Sequence, residues 1–224
     1  MTDISMPDTG FLSGASENLK HVLGRQAKPI TLAAAEVLFE QGDPGDALFA
    51  ITEGALEISV LSLNGRKLSL DLMGPGAIFG EIALFDPGPR TATVTALKPS
   101  HVLRLRNADV LNALRRQPEL GADMIRLAGQ RMRWMGRQLN EQVFLPMPTR
   151  LARKLLYLAP DTGGAPARLS LSQADLAEYV GATREAVSKT LSSWKKIGVI
   201  DATRGGLSIL DRQALEALAE PDAI

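Results

Sequence analysis

No cysteine occurs in the 224 residues. Disulfides, thiolate zinc sites, cysteine nucleophiles and iron–sulfur clusters with cysteine ligands are thereby excluded. Histidine is nearly absent as well: His21 and His101 stand far apart. They cannot supply the clustered imidazoles that an enzyme on a cupin-type β-roll would need, and they are the only histidines that could ligate a haem. No apolar run approaches the roughly 18 residues of a membrane span. The opening MTDISMPDTG lacks the basic-then-apolar order of a signal peptide, so a cytoplasmic protein with no membrane partner is expected. Net charge is also missing, with 25 basic and 25 acidic residues. The balance conceals a split, because residues 1–60 hold nine acids against three bases. The rest is net basic, and a near-neutral pI does not exclude nucleic acid.

What is present begins with 45% hydrophobic residues, enough at this length for two modest domains. Residues 16–28 read as a short helix capped by Ser16, with Leu19, Val22 and Leu23 on one face. From residue 30 to 105 the segments are short, rich in Val, Ile, Leu and Thr, and punctuated by glycine about every ten residues, the rhythm of a small β-barrel or sandwich. Residues 55–63 and 66–73 flank Asn64-Gly65, a pair suited to a type I′ hairpin turn. Residues 91–96 and 101–105 read as closing strands.

Within this β region lies FGEIALFDPGPRTA, residues 79–92, which sets Glu81 and Arg90 among apolar and turn-forming neighbours. A planar Arg fork suits a phosphate, and a carboxylate suits a ribose hydroxyl, so a cyclic nucleotide matches the pair. GEIALF reads as a short helical turn able to aim backbone N–H groups at the same phosphate. An ordinary Glu–Arg salt bridge at a hairpin end is the alternative.

Helical sequence starts at Asn107, and residues 118–144 are its longest stretch. Ile125, Ala128, Met132, Met135 and Leu139 follow three- and four-residue spacing, a heptad seam that predicts dimerisation; packing on the same subunit is the alternative. Arg126, Arg131, Arg133 and Arg137 lie on other faces, suited to solvent or to ion pairs with the acidic first domain. Pro146-Met147-Pro148 breaks the helix and marks the expected domain boundary.

Residues 149–158 read as a helix and 161–167 as a loop. Ser172 then caps a helix running through Tyr179, a turn covers 180–182, and Thr183 caps a second helix: a helix-turn-helix pattern. Ala177, Val187 and Leu191 face inward. Thr183, Arg184, Glu185, Ser188 and Lys189 are left at the exposed start of the second helix, where such side chains can reach base edges in a major groove. A solvated face on a small helical bundle is the alternative. Residues 198–210 read as a hairpin wing.

Taken in this order, GEIALFDPGPRTA, a long helix, DLAEYVGATREAVSKTL and a wing resemble the cyclic-AMP receptor protein (Crp/Fnr) family of bacterial regulators over residues 31–210, and FEQGDPGDALFAITEG resembles the early strands of its roll. The resemblance implies an α+β fold: a cyclic-nucleotide-binding β-roll (double-stranded β-helix) over 1–117, a dimerisation helix over 118–145, and a winged helix-turn-helix DNA-binding domain over 146–224. It implies a transcriptional regulator, not an enzyme. Its implied ligand is a cyclic nucleotide, cAMP or cGMP, and its implied partners are double-stranded DNA, a second copy and RNA polymerase. By similarity, Glu81 binds the ribose, Arg90 and Thr91 bind the phosphate, Gly80, Ile82 and Ala83 give close backbone approach, and Ile58 and Leu70 flank the base. Arg184, Glu185 and Lys189 take the base-reading positions; Lys189 stands where the receptor has Arg and makes a point contact instead of a fork. The receptor's Thr-Ser pair that touches adenine is replaced by Met135-Gly136 or Gln138-Leu139, which leaves the base open between adenine and guanine. A family member answering to haem or to no ligand, and a nucleotide-binding module that contacts protein instead of DNA, are the other readings.

Overall fold

The structure, a computed structural model, describes residues 15–62, 65, 67–159, 167–169, 171–203 and 206–220. The chain forms two compact units, Met1–Met135 and Gly136–Ile224. Asn64 of the expected hairpin turn, Arg204 and Gly205 of the expected wing turn, and most of the expected 161–167 loop lie outside the described residues.

The first unit opens with α1 (Glu17–Gln26) and continues through β1 (Lys28–Leu32), β2 (Val37–Phe39), β3 (Ala47–Glu53), β4 (Leu56–Leu61), β5 (Lys67–Met73) and β6 (Ile78–Phe79). A single-turn helix α2 (Ile82–Phe85), β7 (Thr93–Ala96), β8 (Ser100–Arg106), α3 (Asn107–Arg116) and α4 (Leu120–Phe144) complete the run, with α4 crossing the boundary between the units. Two four-stranded antiparallel sheets result, ordered β1-β8-β3-β6 and β2-β7-β4-β5. This is the expected roll.

Strand β3 shows how the layers are built. Ala47, Phe49 and Ile51 point into the sandwich with Leu56, Ile58, Met73, Phe79, Val94 and Val102. Leu48 and Ala50 point the other way, onto Leu19 and Leu23 of α1, Val110 of α3 and Leu120, Met124 and Leu127 of α4. A strand covered on both faces has no need to alternate apolar and polar residues, and ALFAI does not. Each fully buried Leu, Ile or Phe contributes about 1.5–3 kcal/mol. Ser16 caps α1 through the Leu19 N–H and also donates to the carboxylate of Asp123 on α4.

In the second unit, α5 (Met147–Leu158) begins two residues before the expected start, with Pro148 in its first turn, where a missing N–H costs nothing. Then follow β9 (Ala167–Leu169), α6 (Gln173–Val180), α7 (Arg184–Lys196), β10 (Ile200–Thr203), β11 (Gly206–Ile209) and α8 (Arg212–Ala219). Ser172 and Asp175 form a reciprocal capping box on α6. The helix runs through Val180, one residue further than expected, and Gly181 ends it at φ 64, a left-handed conformation that glycine adopts without a Cβ clash. The wing hairpin β10–β11 is present, and β9 adds an unexpected third strand beside β11. Helix α8 has no counterpart among the expected elements.

Candidate ligand pocket and nucleic-acid interface

Glu81 and Arg90 bracket α2, and both are buried. Glu81 directly precedes the helix and offers it no side-chain cap, which leaves its carboxylate available for other partners. Gly80 adopts φ 78, and a Cβ there would lie 2.8 Å from the Arg90 Nη1, so the site requires glycine. The backbone of Arg90 is held by the turn before β3: its N–H donates to Asp43 O at 2.7 Å, and its own C=O accepts from Gly42 N at 2.9 Å.

The guanidinium of Arg90 lies 4.3 Å from the Phe39 ring centre and 5.4 Å from that of Phe49. Its Nη1 donates to Gly80 O at 3.4 Å, and Nη2 lies 3.8 Å from Asp46 Oδ1. These contacts are long, and the buried Nε has no hydrogen-bond partner among the described residues. Burial pulls the Arg90 pKa below its ordinary value, with Asp46, Asp43 and Glu81 acting in the opposite direction. The result is a largely desolvated cation that is poorly neutralised, which is the electrostatic condition for capturing an anion. It borders a cavity of about 250 Å³ that Phe39, Phe49, Asp46 and Arg104 also line.

Glu81 meets a different cation. Arg131 on α4 places Nε 3.5 Å from Glu81 Oε1 and Nη1 3.5 Å from Asp71 Oδ2, with its guanidinium 4.3 Å from the Trp134 ring centre. Of the two expectations for the α4 arginines, Arg131 thus follows ion pairing with the first unit, whereas Arg126 pairs with Asp123 on its own helix. Glu81 and Arg90 do not form the simple salt bridge weighed as the alternative; among the described residues each has other partners.

Of the other expected pocket residues, Ala83 and Ile58 are buried, Gly80 is half-buried, and Ile82 and Thr91 are exposed. Leu70 is the residue skipped where Ile58 pairs Asp71 and Ser59 pairs Ser69; it sits at a β-bulge and is exposed. Asp71 stands opposite Ile58 in the ladder, and sequence reasoning did not find it. Nor did it find Asp46. For Asp71 the only available signal was an acidic residue on an alternating strand, which is weak without knowledge of the bulge.

On the second unit, Val187, Leu191 and Trp194 bury one face of α7 against its neighbours, with Leu176, Ala177 and Val180 of α6 likewise buried. Thr183 accepts from Ala186 N at 3.2 Å as the expected cap. Thr183, Arg184, Glu185 and Lys189 are exposed and Ser188 is half-exposed, so all five share the free side of the first turns of α7. Lys195 and Lys196 add charge in its last turn. Along α4, Ile125, Met132, Met135 and Leu139 are exposed and Ala128 is half-buried, an apolar row without cover among the described residues.

Residues 29–117 match the family model for the cyclic nucleotide-binding domain, and residues 149–218 match that for the Crp-like helix-turn-helix domain. The chain is 30% identical over 211 residues to a CRP-like cAMP-activated global transcriptional regulator of Mycobacterium tuberculosis, covering 92% of this chain and 94% of that one. It is 31% identical over 194 residues to the cyclic AMP receptor protein of Thermus thermophilus, covering 87% and 85%. A solved transcriptional regulator of the CRP/FNR family from the same bacterium superposes with a TM-score of 0.75 at 27% identity, over 88% of this chain and all of that one. Among the described residues no helix is long and apolar enough to cross a membrane.

Proposed function

Because the chain belongs to the Crp/Fnr family of transcriptional regulators, we propose that it is a homodimeric gene switch whose input is a cyclic nucleotide and whose output is occupancy of a pseudopalindromic operator. The observation that carries this reading is the pair of buried, differently partnered charges around α2: a poorly neutralised Arg90 for the cyclic phosphate and a carboxylate, Glu81, for the ribose 2′-hydroxyl. Gly80, Ile82 and Ala83 bring backbone close to the phosphate, Thr91 adds a hydroxyl, and Ile58 and Leu70 flank the base.

Residues 1–117 form the sensing roll, 118–145 the dimerisation helix and 146–224 the DNA-binding domain. The apolar row on α4 pairs with its copy in a second chain. Ligand shifts the population toward dimers in which both α7 helices meet adjacent major-groove faces, so operator half-sites lie about one helical turn apart. Thr183 and Ser188 serve phosphates or base edges, and Arg184, Glu185 and Lys189 read bases. Regulation in the cytoplasm follows through contact with RNA polymerase.

Relatives named for cyclic AMP make that nucleotide the first to test. Cyclic GMP stands beside it, because the long helix carries Met135-Gly136 or Gln138-Leu139 where adenine would be read. Parallel calorimetric titrations with the two nucleotides, followed by mobility shifts on genomic fragments with and without the bound one, test the proposal. Failure to bind either nucleotide would remove the input. Absence of any DNA shift would favour a module that contacts protein.

A further inference from the structure

Asn107 is the first residue of α3, one position past the N-cap, Arg106. An N-cap asparagine accepts a backbone N–H through its side-chain oxygen, whereas Asn107 stands inside the helix and does not. Among the described residues its buried Oδ1 has no hydrogen-bond partner, and α3 has no side-chain cap. The amide nitrogen is fully used instead: Nδ2 donates to Ala83 O of α2 at 3.0 Å and to Gly45 O at 3.2 Å. The Asn107 N–H adds a third bond, to Asp46 O at 2.9 Å. Leaving a buried carbonyl oxygen unpaired is costly, so the arrangement is organised around the two donated hydrogens.

Those hydrogens join the two strips of backbone that frame Arg90. Gly45 packs so closely on α2 that a Cβ would overlap that of Ala83 and lie 2.6 Å from Gly88 O. Gly45 N donates to Gly88 O at 3.2 Å, and Pro44 bridges Pro89. Through Asn107 the same turn and α2 are tied to the first residue after β8, the strand that carries Arg104.

We infer that Asn107 is a positioning residue for the nucleotide site, a clamp that uses its side-chain amide to hold α2 against the Gly45 turn so that Glu81 and Arg90 keep their spacing. The inference rests on the nucleotide-binding reading above. The clamp acts on the backbone that carries the ribose and phosphate partners, so its effect is the same for every cyclic nucleotide the site accepts.

The test uses the full-length protein and two variants, Asn107→Ala and Asn107→Asp. The first removes both donors. The second keeps nearly the same shape but turns a carboxylate toward two carbonyl oxygens. Calorimetry should show Asn107→Ala weakening cAMP and cGMP by the same factor, about tenfold, and Asn107→Asp weakening both further. A residue that merely filled space would rank the isosteric Asp as the milder change. Hydrogen exchange on the unliganded protein should show faster exchange at the amides of residues 84–86 in the variants, with β3 and β8 unchanged. Affinities of both variants within about twofold of the parent, or Asp binding as well as Asn, would overturn the clamp. If the parent binds neither nucleotide, the functional reading fails by itself, and unaltered exchange at residues 84–86 still overturns the clamp. If Asn107→Asp fails to fold, Asn107→Ala decides on both readouts.

Discussion

Replacement of Arg90 by leucine separates stability from binding, because the two depend on different features of the same side chain. In the folded protein Arg90 is buried, yet its polar contacts are 3.4 and 3.8 Å long and its Nε is unpaired. Its nearest acid, Asp46, is mostly exposed and keeps Arg104 at 2.5 Å. Removing the cation therefore strands no buried charge, and leucine can occupy the space beside Phe39 and Phe49. Exchanging a weakly compensated buried ion for an apolar side chain is often neutral or stabilising, so a change within about 1 kcal/mol of the parent is expected. Binding should respond differently. Two charge-assisted hydrogen bonds to a phosphate, each about 1.5–3 kcal/mol, amount to about 3 kcal/mol or more, a loss of at least about a hundredfold in affinity. Thermal or urea unfolding measures the first quantity and calorimetric titration of cAMP and cGMP the second. Arg90→Lys should fall between, since it retains charge without the planar fork. Affinity within about tenfold of the parent in Arg90→Leu would refute Arg90 as the phosphate partner.

Three further outcomes follow from other parts of the chain. Met132→Glu, on the exposed apolar row of α4, should leave the fold of the single chain intact and shift sedimentation from dimer to monomer; a dimer unchanged in mass would exclude the seam. Arg184→Ala should cost about 1–3 kcal/mol in operator affinity and relax preference at one base pair, read by binding to a randomised operator library; unchanged sequence preference would remove Arg184 from base readout. Gly181→Ala forces a Cβ into the left-handed turn between α6 and α7 and should destabilise the second unit by about 1 kcal/mol. Denaturant unfolding checks this, and a neutral result would mean that the turn relaxes.

Local chemistry was sufficient for most elements of the fold. The Ser16, Ser172 and Thr183 caps, the glycine turn at 181, the apolar row on α4 and the strand rhythm from 30 to 105 all depend on residues a few positions apart, and such signals survive in a linear reading. The Glu81–Arg90 motif was legible for the same reason. Tertiary structure decided what these charges face. Asp46 lies 3.8 Å from Arg90, Arg131 reaches both Asp71 and Glu81, and Asn107 spans two backbone strips, all through contacts distant in sequence. A bulge at Leu70 further determines which residues of β5 oppose β4. Strand β9 and helix α8 escaped notice because they are short and are held chiefly by their neighbours, β11 and α5. Sequence thus determined the type of most elements and the kind of ligand the Glu81 and Arg90 charges suit, because propensity, capping and motif chemistry are local. The partner of each buried charge was decided only when the chain closed on itself, because burial and electrostatic pairing depend on which distant residues share a low-dielectric space.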